Sequence, residues 1–261
     1  AMISGYRSHT QAIAKGIQAY EVISELFGKA SGCSKGKGGS MHMFSKEHRF
    51  LGGHGIVGGQ APLGVGAAFA LKYQETDANV ICFLGDAAMN QGQVFEAMNM
   101  AATWKLPILF YIENNQYGMG TDIQRTTSVD HLYKRALGFD MAWEQVDGMD
   151  VLAVYESTTR IMKKMRQNRE PVLVEALTYR YKGHSVSDPA TYRGKEEVDM
   201  FKKRDPIESL ATILLDSKAA SQEQLSDINK EIKEELKNME SLADQAPFPA
   251  AETVWDHVYA E

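Results

Sequence analysis

Cysteine is scarce, long apolar runs are missing and positive charge is not in excess. Each shortage removes a class of protein. Only Cys33 and Cys82 occur among 261 residues. Neither has a CxxC or metal-ligand spacing, so a reducing compartment is the default. Cys82, inside Val80-Ile81-Cys82-Phe83-Leu84, reads as a small core residue. No apolar run approaches the roughly 20 residues that span a bilayer, which argues against a membrane. The formal charge is −6, whereas binding nucleic acid requires a basic face to neutralise phosphates. The opening AMISGYRSHT has no apolar h-region and does not read as a signal peptide.

Repeats, low-complexity stretches and a domain-separating linker are also missing. The expectation is one domain over residues 1–261, with a helical C-terminal portion from about 200. Apolar spacing predicts a helix over 11–28, stopped by Gly28, and a helix of small residues over 62–73, with Pro62 in its first turn. Residues 28–60 are glycine-rich and irregular, too long for a mere connection. Apolar runs at 80–84 and 107–112 read as strands around a helix at 91–105, a βαβ unit with parallel strands. A helix at 150–168 and a strand at 171–177 repeat the alternation. The fold class is therefore α/β, a doubly wound, mostly parallel sheet with helices on both faces. An amphipathic helix over 221–242 begins with a capping box from Ser221 and Gln224, and its apolar stripe is Leu225, Ile228, Ile232, Leu236 and Met239.

In such sheets ligands bind beyond the carboxyl ends of the strands. The first run ends in Gly85-Asp86-Ala87-Ala88-Met89-Asn90, the second in Glu113-Asn114-Asn115-Gln116-Tyr117-Gly118. Neighbouring parallel strands would set Asp86 beside Asn115. A carboxylate and an amide oxygen are hard ligands suited to Mg²⁺ or Ca²⁺; Mg²⁺ completes its shell with phosphate oxygens and water. The helix opening near residue 90 would aim N–H groups at the same phosphates. The alternative is that Asp86 merely caps that helix.

Asp86 with Asn115, set in GDAAMNQGQVFEAMNMAATWKLPILFYIENNQYGMGT, resembles the thiamine-diphosphate motif. Further blocks agree in order: GYRSHT at 5–10, GKGGSMHMF and GGHGIVGGQAPLG across 36–64, and TYRYKGHSVSDP at 178–189. Together they are similar to the thiamine-diphosphate-dependent 2-oxoacid dehydrogenase family, specifically α subunits of pyruvate dehydrogenase E1. The resemblance implies a thiamine-diphosphate-binding fold and the cofactors thiamine diphosphate and Mg²⁺. It also implies oxidative decarboxylation of pyruvate with transfer of the acetyl group to lipoyl-E2. Branched-chain 2-oxoacid or acetoin dehydrogenases are the alternative within the class, and a non-catalytic structural subunit the alternative outside it. Implied partners are an E1 β subunit in an α₂β₂ heterotetramer and the lipoyl domain of E2. The implied location is the bacterial cytoplasm, with mitochondrial matrix or plastid as alternatives.

The same resemblance assigns Asp86, Asn115 and the Tyr117 carbonyl as metal ligands. Tyr6 and Arg7 would meet the diphosphate, and Gly55 and Val57 would lie against the aminopyrimidine. Ala87 and Ala88 would point N–H groups at the phosphates, and His184 would face the cofactor as the catalytic side chain. Arg7 could instead form a surface salt bridge, while His9 and His42 read as structural. Ser185 matches a regulatory phosphorylation position of mitochondrial relatives, whereas Thr191 and Asp122 replace the other two.

Two departures stand out. The motif's third residue is usually glycine and here is Ala87, which costs about 1 kcal/mol only where φ is positive. Family members also carry an upstream histidine before a GQE-type sequence, and this sequence starts after it. Finally, Gly53-His54-Gly55-Ile56-Val57-Gly58 satisfies GxGxxG. With no strand expected before it and no strand-ending acid about 20 residues on, it reads as loop glycines and not a dinucleotide site.

Overall fold

The computed structural model describes residues 1–256 and Val258; the end of the expected domain, 257 and 259–261, lies outside the described residues. Along the chain run β1 (Met2–Gly5), α1 (His9–Ala14), α2 (Ala19–Leu26), β2 (Phe50–His54), α3 (Gln60–Tyr73), β3 (Val80–Gly85), α4 (Gly92–Thr103) and β4 (Ile108–Asn114). They are followed by the short β5 (Tyr117–Gly118) and β6 (Thr121–Asp122), then β7 (Ala142–Asp147), α5 (Val151–Asn168), β8 (Val172–Leu177), α6 (Lys195–Lys202), α7 (Pro206–Asp216) and α8 (Gln222–Gln245). The chain divides into two compact units. One holds Ala1 and 56–222, the other 2–55 and 223–261.

In the first unit β3, β4, β8 and β7 pair in that order, all parallel. Leu109 and Tyr111 of β4 pack with Val172 and Val174 of β8 against Ile161 and Met165 of α5. Strand residues of opposite parity face the other way, where Cys82 meets the Gln60 carbonyl of α3 at 3.6 Å. Helices thus cover both faces, as parallel strands require, and Cys82 is a fully buried core residue. The fold is α/β. Strand β7, AWEQVD, escaped the sequence reading because it is an edge strand buried at one position only. Its pairing with β8 makes it a strand, not an apolar run of its own.

In the second unit β1 and β2 pair in parallel, and Ala12, Ile17, Val22, Met43 and Phe50 form the core. The single helix expected over 11–28 is two helices. Gly16 has φ +106, a left-handed conformation that ends α1. A capping box, Gln18 with Glu21, then starts α2. Strand β2 also corrects the reading that no strand precedes the GxGxxG string. FLGGH lacks strand propensity because of its glycines, and partner pairing overrides that weakness. The stripe of α8 is not a core face. Ile228, Ile232 and Leu236 are 51%, 48% and 46% exposed, and Ala243 is the buried residue of that helix. No helix among the described residues is long and apolar enough to cross a membrane.

Candidate active site at the ends of β3 and β4

Pairing of β3 with β4 runs from Val80↔Ile108 to Gly85↔Glu113. Two strands in this register end together, so the residues that follow, Asp86 and Asn114-Asn115, are neighbours. Asp86 is 2% exposed and begins the 3₁₀ turn Ala87–Asn90. Its side chain does not cap that turn by a hydrogen bond, and its Oδ2 has no hydrogen-bond partner among the described residues. Burial pushes the Asp86 carboxyl above its ordinary range; main-chain N–H groups of Asp86, Asn115 and Ala87 and the charge of Arg180 oppose that shift. A buried carboxylate oxygen with no donor is expensive. An oxygen so placed is open to a ligand that can meet it, and capping through this atom is absent, since Oδ2 makes no bond to the turn.

The turn after β4 is built by its own side chains. Asn114 Oδ1 accepts from the Gln116 N–H at 3.1 Å and Asn115 Oδ1 from the Tyr117 N–H at 3.4 Å. Gln116 adopts φ +75, which folds the chain back so that the Tyr117 carbonyl is available. Arg180 donates to that carbonyl at 3.2 Å and to the Met119 carbonyl at 2.6 Å. A carbonyl has two lone pairs, so one at Tyr117 stays available to a cation. The opposite wall explains the third motif residue. Ala87 is not among the residues with positive φ, so alanine carries no backbone strain. Its methyl fills the space in front of Gly118, where an added Cβ would lie 2.5 Å from the Ala87 Cβ. No cluster of three or more His, Cys, Asp or Glu able to hold a metal occurs among the described residues.

The turn Ala87–Asn90 is held from behind. Arg135 donates to the Met89 carbonyl and, at 2.6 Å, to Asn90 Oδ1. Burial pulls the Arg135 pKa down, while the Glu175 carboxylate works in the opposite direction. Ala88 is buried in that turn. Val57 is exposed, and its carbonyl accepts from Gln93 Nε2 at 3.2 Å.

His184 lies in the loop after β8, and its main-chain N–H donates to Asp188 Oδ2 at 2.6 Å. Asp188 also accepts from the Ala190 N–H and the Tyr192 hydroxyl, and the three donors pull its carboxyl down to about 2. Arg180 reaches this loop as well, donating to the Tyr192 hydroxyl at 2.8 Å. Arg193 donates to the carbonyls of Arg180, Tyr181 and Lys182, and stands over the rings of Tyr117, Tyr179 and Tyr192. Glu197 accepts the hydroxyls of Tyr117 at 2.9 Å and Tyr179 at 2.7 Å. Burial, then the Glu197 bond, pushes Tyr179 up to about 12.

Asp86, Ala87, Ala88, Asn115, Tyr117, Val57 and His184 all belong to the first unit. The register joins Asp86, Asn115 and Tyr117, and Arg180 ties Tyr117 to the loop that carries His184. Tyr6, Arg7 and Gly55 belong to the second unit. There Arg7 is exposed and stands 5.3 Å over the Tyr6 ring. A Cβ on Gly55 would lie 3.2 Å from the His42 ring. His42 Nδ1 is 3.2 Å from the Gly53 carbonyl and His9 Nε2 3.0 Å from the Ser40 carbonyl, contacts of the kind that shape loops.

The sequence reading missed Arg180, Arg193, Glu197, Asn114 and Glu175. Arg180 stands inside the TYRYKGHS block already singled out, so its signal was present; the acid inside the apolar run PVLVEAL was another.

The sequence matches the family model described as dehydrogenase E1 component over residues 1–252. It is 46% identical over 259 residues to the pyruvate dehydrogenase E1 component subunit alpha of Rickettsia bellii, covering 99% of this chain and 79% of that protein. It is likewise 46% identical to the protein of the same name from Zymomonas mobilis, over 99% of this chain and 73% of the relative. A mitochondrial relative of that name from Dictyostelium discoideum is 47% identical, over 100% and 68%.

Proposed function

Because the chain belongs to the dehydrogenase E1 component family, we propose that it is the α subunit of a pyruvate-decarboxylating E1, using thiamine diphosphate and Mg²⁺. The observation that supports the site is the buried Asp86 Oδ2, which has no hydrogen-bond partner among the described residues and follows the last pair of the β3–β4 register, as Asn114-Asn115 do on the other strand. Bound thiamine diphosphate supplies the electron sink for decarboxylation of a 2-oxoacid; the protein supplies position and electrostatics.

Asp86, Asn115 and the Tyr117 carbonyl would hold the cation, with diphosphate oxygens completing its shell. Ala87 and Ala88 would direct main-chain N–H groups to the phosphates, and the exposed Val57 would meet the aminopyrimidine. His184, fixed at its main chain by Asp188, would face the cofactor and assist proton traffic or phosphate binding there. For Tyr6, Arg7 and Gly55 as cofactor contacts, the support is the sequence resemblance. The expected partners are a β subunit in an α₂β₂ assembly and the lipoyl domain of E2. Bacterial relatives support a cytoplasmic setting. The relatives named above carry pyruvate in their names, which disfavours branched-chain and acetoin substrates.

The test is dye-linked decarboxylation after co-expression with a pyruvate dehydrogenase β subunit, comparing pyruvate, branched 2-oxoacids and acetoin with and without thiamine diphosphate and Mg²⁺. Cofactor-dependent turnover that prefers pyruvate and disappears in Asp86→Ala is the expected result. Turnover indifferent to Asp86→Ala would remove the cation site, and preference for another substrate would remove pyruvate.

A further inference from the structure

Glu175 is fully buried in β8, where a charge is costly unless several donors meet it. Its strand neighbours are Val172, Leu173, Val174 and Ala176, so packing alone would be served by an apolar side chain. Three donors converge on it. Asn114 Nδ2 donates to Oε1 at 2.8 Å, and the Tyr133 N–H and Gln145 Nε2 donate to Oε2 at 3.2 and 3.1 Å.

What this carboxylate governs is the sense of the Asn114 amide. Asn114 uses both ends of its side chain: Nδ2 is given to Glu175, while Oδ1 takes the Gln116 N–H. A carboxylate only accepts, so facing Glu175 forces Nδ2 inward and leaves Oδ1 for Gln116. The opposite flip would set an oxygen against a carboxylate and an NH₂ against an N–H. The Gln116 bond is what bends the chain at φ +75 and so sets where Asn115 and the Tyr117 carbonyl lie.

The structure assigns Glu175 as the positioning residue for the cation-binding turn, acting through Asn114. This rests on the reading that Asp86, Asn115 and Tyr117 hold the cation. Residues behind a metal ligand commonly govern its affinity by about 10–100-fold, and Glu175 does so here one residue removed from the ligand itself.

The experiment measures, in the assembled α–β enzyme, the Mg²⁺ concentration that gives half-maximal thiamine diphosphate binding by calorimetry, with the cofactor-free melting temperature alongside. Glu175→Gln can keep the Tyr133 and Gln145 bonds through its oxygen, but it then sets its NH₂ against that of Asn114. The Mg²⁺ requirement is expected to rise about tenfold. Asn114→Asp sets two carboxylates face to face and should also raise it. Combining the two substitutions exchanges donor and acceptor, while the new carboxylate still accepts from the Gln116 N–H, and should return the requirement most of the way. A Glu175→Gln enzyme that melts lower at an unchanged Mg²⁺ requirement overturns the assignment, provided Asp86→Ala still abolishes Mg²⁺-dependent binding. If Asp86→Ala leaves that binding intact, the cation reading itself has failed. If Glu175→Gln does not assemble, the comparison of Asn114→Asp with the double variant decides: no recovery overturns the route through Asn114.

Discussion

Glu25 on α2 and Asp86 after β3 are both closed off from water, at 0% and 2% exposure, yet their surroundings differ. Glu25 accepts four main-chain N–H groups: Ser34 and Gly36 on Oε2 at 2.8 and 2.9 Å, Gly38 and Gly39 on Oε1 at 2.7 and 3.0 Å. The glycine-rich segment wraps this carboxylate closely. A Cβ at Gly32 would come within 2.3 Å of Glu25 Oε2. Asp86 keeps one oxygen with no donor among the described residues. The first carboxylate is satisfied by its own chain and organises a loop; the second keeps an oxygen open, which is why it is proposed as a cation ligand. A buried acid is a structural residue or a functional one according to who completes its hydrogen bonds.

Substitutions sharpen that contrast. Asp86→Ala is expected to lower cofactor-dependent turnover by at least about 100-fold, at or beyond the upper end of what residues behind a ligand contribute. The same change should raise the melting temperature of the cofactor-free assembly at neutral pH. Because burial raises the folded-state pKa of Asp86, the folded form binds its proton more tightly than the unfolded chain. The penalty is therefore absent below the unfolded carboxylate value of about 4 and grows as pH rises through the folded value. The gain from Asp86→Ala should follow that rise, and saturating cofactor and Mg²⁺ should reverse it.

Glu25→Ala is expected to do the converse. Four N–H groups lose a charged acceptor, at a cost of about 3 kcal/mol or more, seen in denaturant unfolding. The Mg²⁺ requirement of any enzyme that still assembles should stay unchanged. A shift in that requirement would break the distinction between the two carboxylates.

Smaller changes probe the walls of the Asp86 site. Gly118→Ala would press its methyl on Ala87 and should raise the Mg²⁺ requirement about tenfold. Ala87→Gly in the same chain should restore it, which a general loss of stability could not explain. Tyr179→Phe removes one of two hydroxyls on Glu197, at a cost of about 1 kcal/mol, and protease sensitivity in residues 182–193 should rise. The smallest effect is pH-dependent. Asp188 is held down at about 2, so its ordering of that loop is complete above about pH 4 and fades as pH falls toward 2. Protection of the His184 and Ala190 amides, relative to the intrinsic exchange rate at each pH, should fall over that window, and Asp188→Asn should show the lowered protection already at neutral pH.

The α/β class, strands β3, β4 and β8, helices α3, α4 and α5, and the Asp86–Asn115 pair were legible in the sequence. Their residues are buried on both faces or repeat at helical period, so each segment carries its own signal. Strands β1, β2 and β7 were not legible. MISG, FLGGH and AWEQVD are short, glycine-bearing or one-sided, and they become strands because a partner offers a ladder. The break at Gly16 was hidden because apolar spacing continues across a residue whose left-handed φ no pattern of side chains records.

The sequence by itself determined which polar groups end the strands, because a carboxylate and an amide 29 positions apart follow two apolar runs of one βαβ unit; that they are neighbours comes from the β3–β4 pairing. It also determined the family, through motifs running along almost the whole chain. Only the tertiary structure decided which buried acids are completed by the protein. That depends on which N–H and amide groups arrive from elsewhere in the chain, as Asn114, Tyr133 and Gln145 do at Glu175. Hydrogen bonds between distant segments are set by packing geometry, which local sequence pattern does not contain.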